Sequence, residues 1–160
     1  MEILEKIKSE IAAFDEKRKE LLANLKNDFA PMVAPLFEKH PKIKSISWNQ
    51  YTPYFNDGDE CTFSANLDLD YGMKVNGVDE DDDNSPLDWR IKYYLKGEEK
   101  YKDLLTENPN IDLEIYHGAI EFQQLLKSIP ESFLKDLFGD HMQITLLSTG
   151  EVETEEYEHD

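Results

Sequence analysis

Ser45-Ile46-Ser47-Trp48-Asn49 is the stretch where the chain changes its hydrophobic period. On its N-terminal side, Ile3, Ile7, Ile11, Phe14, Leu21, Leu25 and Phe29 recur near every 3.6 residues, with Lys and Glu between them, so residues 3–29 predict an amphipathic helix. From Ser45 the period is 2: Ile46 and Trp48 alternate with Ser45, Ser47 and Asn49, which predicts a half-buried strand running towards Phe55. A switch from one long helix to a strand, within a chain that later repeats both patterns, points to an α+β fold.

The rest of the chain supports that class. Pro31 and Pro35 each remove a helical donor and are expected to break or kink the first helix, leaving a short second one over 31–39 that His40-Pro41 ends. Asn56-Asp57-Gly58-Asp59 favours a tight hairpin turn, after which Phe63, Ala65, Leu67, Leu69 and Tyr71 share one face of a returning strand. Ser64, Asn66, Asp68 and Asp70 share the other face, and Pro53 marks the first strand as an edge or a bulge. Ser85-Pro86-Leu87-Asp88 reads as a helix start, with Trp89, Tyr93 or Tyr94, and Leu95 inward and Gly97 as the stop. A short helix is expected around 98–106 and a longer one over 111–129, marked by Ile111, Ile115, Ala119, Phe122, Leu126 and Ile129. Another runs from Pro130 to Gly139. Met142–Leu147, a Ser148-Thr149-Gly150 turn and Glu151–Tyr157 form a second hairpin signal.

The expected architecture is a single domain over 1–160, with a helical N-terminal segment (1–40) and an acidic α+β body (41–160). A long N-terminal helix and several short helices would pack on a small antiparallel sheet of two hairpins. The first helix can be buried on its own sheet or form the seam of a homo-oligomer; strict heptads are not kept along the 3.6-period stripe, which favours burial.

Charge is distributed unevenly. Residues 1–44 hold nine Lys/Arg against eight Asp/Glu, whereas 45–160 hold eight against 27, so the body carries the whole −18 of the protein. Such a surface repels nucleic acid and anionic lipid and attracts basic proteins or divalent cations. Direct nucleic-acid binding is therefore not expected, and neither is a membrane role, since no apolar run reaches the ~18–20 residues of a span. The lone Cys61 permits no intrachain disulfide. With no apolar run after Met1-Glu2-Ile3-Leu4-Glu5-Lys6, the expected location is the cytoplasm.

Catalytic signatures are missing: there is no G-x-S-x-G, P-loop, G-x-G-x-x-G or H-E-x-x-H. His40, His117, His141 and His159 lack metal-ligand spacing; His117 reads as a half-buried structural residue, and His141 beside Asp140 as a cap, a surface residue or one half of an acid–base pair. The loop Asp79-Glu80-Asp81-Asp82-Asp83-Asn84 matches the first three ligand positions of an EF-hand, but Asn84 replaces the turn glycine and Arg90 stands where the bidentate Glu belongs. No metal or cofactor is assigned. Asp57, Asp59 and Glu60 keep open an alternative, a divalent-metal-dependent enzyme acting on phosphate esters, if other acids converge on them.

The sharper signal is geometric. Glu151, Glu153 and Glu155 alternate along the last strand and should project from one side about 6.6–6.8 Å apart. Asp68 and Asp70 repeat the pattern. Such rows roughly imitate nucleic-acid charge, although they also suit the wet side of a half-buried strand.

Trp48-Asn49-Gln50-Tyr51-Thr52-Pro53-Tyr54-Phe55-Asn56-Asp57-Gly58-Asp59-Glu60-Cys61-Thr62-Phe63 resembles a segment of small uncharacterised proteins of tailed phages and bacteria. The resemblance covers 16 residues, about a tenth of the chain, and transfers no catalytic role. It implies a mobile-element setting, in which small acidic proteins often interfere with host enzymes or defence systems. The expected function is accordingly a non-enzymatic, phage-derived protein that binds and inhibits a basic-surfaced host protein. Asp68, Asp70, Asp79, Asp81, Asp82, Asp83, Glu151, Glu153 and Glu155 would supply charge, and Tyr51, Tyr54 and Phe55 apolar anchors. A third possibility is a structural oligomer built on the first helix.

Overall fold

The computed structural model describes residues 2–54, 58, 60–69, 72–79, 85–92 and 98–158, the side chains of Trp89 and Lys92 aside. It shows an α+β fold. Helix α1 (Glu2–Lys39) leads into β1 (Ser45–Tyr51), then β2 (Ser64–Ala65) and β3 (Lys74–Val75). A 3₁₀ turn at Trp89–Lys92, α2 (Glu99–Glu107), α3 (Leu113–Lys127) and α4 (Glu131–Phe138) precede the closing hairpin of β4 (Met142–Leu147) and β5 (Val152–Glu156). The sheet is antiparallel throughout its named ladders, in the order β2-β1-β4-β5, with β3 on the same side of β1 as β2.

The register explains the core. Ile46 faces Leu146 and Trp48 faces Ile144 across the β1–β4 ladder, so period-2 patterns on two strands far apart in sequence make one apolar face. Helices cover it: Phe29 of α1 meets Phe138 of α4 edge-on at 5.2 Å, Phe138 meets Trp48 at 6.0 Å, and Phe37 packs on Phe122 of α3 at 4.7 Å. Each such side chain contributes about 1.5–3 kcal/mol on full burial. Asp112 caps α3 by accepting from the Glu114 and Ile115 amides, and Gly139 ends α4 at φ +94°, where any side chain would be strained.

Three expectations need correction. The prolines do not break α1, which runs unbroken through Pro31 and Pro35. Both are exposed, so carbonyls that lose an amide partner reach water, while Phe29, Val33 and Phe37, at four-residue spacing, are buried. That burial, at roughly 1.5–3 kcal/mol each, offsets a proline cost of about 3 kcal/mol each. Of the helix expected from Pro86, the described residues show a 3₁₀ turn over Trp89–Lys92 in place of α-helix, and the remaining positions, 93–97, lie outside the described residues. Asp88 holds that turn by accepting from Arg90 N, Nε and Nη2 at 2.7–2.9 Å, and the arginine draws its carboxyl below the usual range. The first hairpin also pairs over fewer residues than expected, and its expected turn at 56–59 lies, Gly58 aside, outside the described residues. Its ladder closes at Tyr51–Ser64, with residues 52–63 as the connection, and β3, which the sequence did not announce, extends the same edge after it. The alternation of the returning segment still holds, since Ala65, Leu67 and Leu69 are buried and Ser64 and Asp68 exposed.

Candidate functional site

The helices cover one face of the sheet; the other presents polar side chains. Across it run Asn49, Gln143 and Glu155 in one row and Ser47, Thr145 and Glu153 in the next, because the registers align them. Glu151 follows beside Leu147, whose amide donates to the Glu151 carbonyl. All of β5 is exposed, and it is an edge strand. Gln143, Thr145, Glu153, Thr154 and Glu155 line an open depression of about 370 Å³. Among the described residues, no lysine or arginine pairs with Glu151, Glu153 or Glu155.

Aromatic side chains stand at one end of this row. One step beyond the Gln50–Met142 and Met142–Glu156 pairs, Tyr51, His141 and Tyr157 form the next row of the sheet. The Tyr51 and Tyr157 rings lie 5.6 Å apart, and Tyr54 stacks on His141 at 5.0 Å and 17°. Tyr54 is 66% exposed.

This corner is pinned from below. Gln50, fully buried, accepts from Trp48 Nε1 at 3.0 Å and donates through Nε2 to the carbonyls of Leu134 (2.9 Å) and Gly139 (2.7 Å). Asp140 accepts from the Thr52 amide at 2.8 Å and the Thr52 hydroxyl at 2.7 Å. Burial would raise the Asp140 pKa, but the Thr52 donors, the His141 amide and the His141 ring together hold it below the usual value. His141 adopts φ +55° beside it, uncommon outside glycine. Its Nε2 lies 3.6 Å from Asp140 Oδ1, but the carboxylate is committed to Thr52, so Asp140 anchors the end of β1.

The structure thus brings together Tyr51, Tyr54, Glu151, Glu153 and Glu155. It places Asp68 and Asp79 elsewhere, by the β2 and β3 edge, three strand spacings or roughly 14 Å across the sheet. Each also has a lysine beside it: Lys127 bonds Asp68, and Lys74 lies 3.9 Å from Asp79. Phe55, Asp70, Asp81, Asp82 and Asp83 lie outside the described residues, as do Asp57 and Asp59 of the metal-dependent alternative. Among the described residues no three His, Cys, Asp or Glu side chains group to hold a metal ion. His117 is exposed on α3, not half-buried, with its ring edge-on to Tyr116. No described helix is long and apolar enough to cross a membrane.

Sequence reasoning missed Gln143, Thr145 and Tyr157. Their signal was present, since Gln143 and Thr145 alternate with the apolar Ile144 and Leu146, but a neutral polar residue on a strand carries no mark of its own. Compared with known proteins, the chain matches no family model, no curated protein and no solved structure.

Proposed function

We propose that the protein is a non-enzymatic acidic interaction protein, phage-derived and cytoplasmic, which binds and inhibits a host protein through a basic surface such as a nucleic-acid-binding or defence protein carries. The observation that supports this best is the Glu151-Glu153-Glu155 row on an edge strand without basic partners among the described residues. Some acids elsewhere are drawn into local pairs, as Glu121 is by Lys39, and Asp112 by Lys42. Carboxylates left facing water on a rigid ladder are available to a partner.

Geometry sets the scale of the contact. From Glu151 to Glu155 the row spans about 13 Å, enough for two or three basic side chains. Charge spacing along the row is about half as dense as along one DNA strand, at 3.4 Å per phosphate, so the mimicry is local. Tyr51, Tyr54 and Tyr157 at its end add ring surface of the kind that anchors interfaces. Binding would be fast and salt-sensitive, because long-range steering is screened within about 10 Å at 0.1 M salt. Capture from a host lysate at low and high ionic strength tests this: the partner is recovered at low salt and lost at high salt. Equal recovery at both would refute an electrostatic contact.

A further inference from the structure

Among the described residues, none packs on the first half of α1. Residues 2–20 are exposed, and Ile3, Leu4, Ile7, Ile11 and Phe14 among them are 49–75% exposed. Among the described residues, the helix first meets the body at Arg18, which bonds Asp136 of α4, and at Leu22 and Leu25, which join the core. The free part, residues 2–17, is about 24 Å long at 1.5 Å per residue. Monomeric proteins rarely expose a contiguous apolar stripe of this extent.

The spacing of the exposed stripe names its occupant. Read from Leu4, the positions Leu4, Ile7, Ile11, Phe14, Arg18 and Leu21 alternate by three and four residues, the seam of two helices. The heptad is hidden when Ile3 heads the stripe, and Arg18 is its single polar member. Lys8, Glu10, Asp15 and Lys17 flank this seam. In a parallel, in-register pair, Glu10 would meet the partner's Asp15, twice. In an antiparallel pair with Ile11 opposite the partner's Phe14, Lys8 meets the partner's Asp15 and Glu10 meets the partner's Lys17, and symmetry doubles both. Shifting that pair by one heptad sets Lys8 against the partner's Lys8 and Glu10 against the partner's Glu10. Only one of the three registers is complementary.

Two further observations agree with it. Leu21, opposite the partner's Leu4 in this register, keeps 49% of its surface open although it lies beside the body. Residues 45–160 carry eight basic and 27 acidic side chains, and an antiparallel pair holds two such bodies at opposite ends, whereas a parallel pair would set them side by side.

We infer that the projecting half of α1 is the seam of an antiparallel dimer with a second copy of this chain. The dimer displays two acidic edges, and on a host surface with two basic patches the second engagement is intramolecular.

Sedimentation equilibrium on the full chain tests this. The expected result is a two-chain mass that falls towards one chain on dilution. Ile7→Asp with Ile11→Asp, both on exposed positions, yields a one-chain mass with unchanged far-UV circular dichroism. Asp15→Lys separates the orientations: two attractive contacts become repulsive in the antiparallel pair, so dissociation strengthens roughly tenfold. A one-chain mass for the wild type at every concentration overturns the proposal, as does a trimer, and so does tighter association of Asp15→Lys, the signature of a parallel pair. None of these masses bears on whether the Glu151–Glu155 row binds a partner.

Discussion

Gln50→Leu is expected to destabilise the protein by about 2–4 kcal/mol, although it replaces a buried polar residue with an apolar one of similar size. Gln50 makes three hydrogen bonds, to Trp48 Nε1 and to the carbonyls of Leu134 and Gly139, and is fully buried. Removing the amide leaves the Trp48 indole N–H, on a residue only 1% exposed, with no acceptor, and strips the Gly139 carbonyl of a 2.7 Å donor. An orphaned buried group costs about 1–3 kcal/mol, and the apolar gain of Leu over Gln, about 1 kcal/mol, returns part of it. Urea unfolding should show a lower midpoint at unchanged slope, and thermal unfolding a drop of roughly 4–16 °C at 2–4 °C per kcal/mol. Asn49→Ala, next door on the outer face, should stay within about 0.5 kcal/mol. If Gln50→Leu matched wild type within that margin, the amide would not be what ties β1 to the α4–β4 corner.

Gly118→Ala on α3 should destabilise by roughly 1–3 kcal/mol despite alanine's better helix propensity, because a Cβ there would sit 2.6 Å from Ile43 Cδ1 and 2.7 Å from His40 Cγ; equal melting curves would contradict this. Pro31→Ala should stabilise by about 1–3 kcal/mol in chemical denaturation, since Pro31 is exposed inside a continuous helix. Asp140→Ala should cost about 1–2 kcal/mol at neutral pH through the two Thr52 bonds. Because the folded pKa of Asp140 lies below its ordinary value of 3.8, its contribution is complete above that value and fades as pH falls through the lowered folded pKa. Wild type and variant should therefore converge in acid; a gap that widened below pH 4 would reverse the sign.

What the sequence made legible was periodic. The β4–β5 hairpin, α3 and α4 appeared within two residues or so of their patterns, and the Glu151-Glu153-Glu155 row stands where alternation put it. Less legible was anything decided by tertiary packing. Pro31 and Pro35 carry a strong local signal against a helix, which the burial of Phe29, Val33 and Phe37 overrides. Gln50 and Thr52 carry no local mark of their role as fixing groups, because their partners Leu134, Gly139 and Asp140 lie more than 80 positions away. The same distance hid the separation of the acids. Asp68 and Asp79 resemble Glu153 on the page, and only the strand order puts them on the opposite edge.

We propose that the β5 row, rather than net charge, is what a basic partner reads. Comparing E151Q/E153Q/E155Q with E99Q/D103N/E107Q, an exposed triple on α2 that removes the same charge, tests it most directly in a binding titration against the captured host protein. The β5 triple is expected to lose affinity at least tenfold while the α2 triple stays close to wild type. Equal losses from both would show that total charge alone governs the interaction.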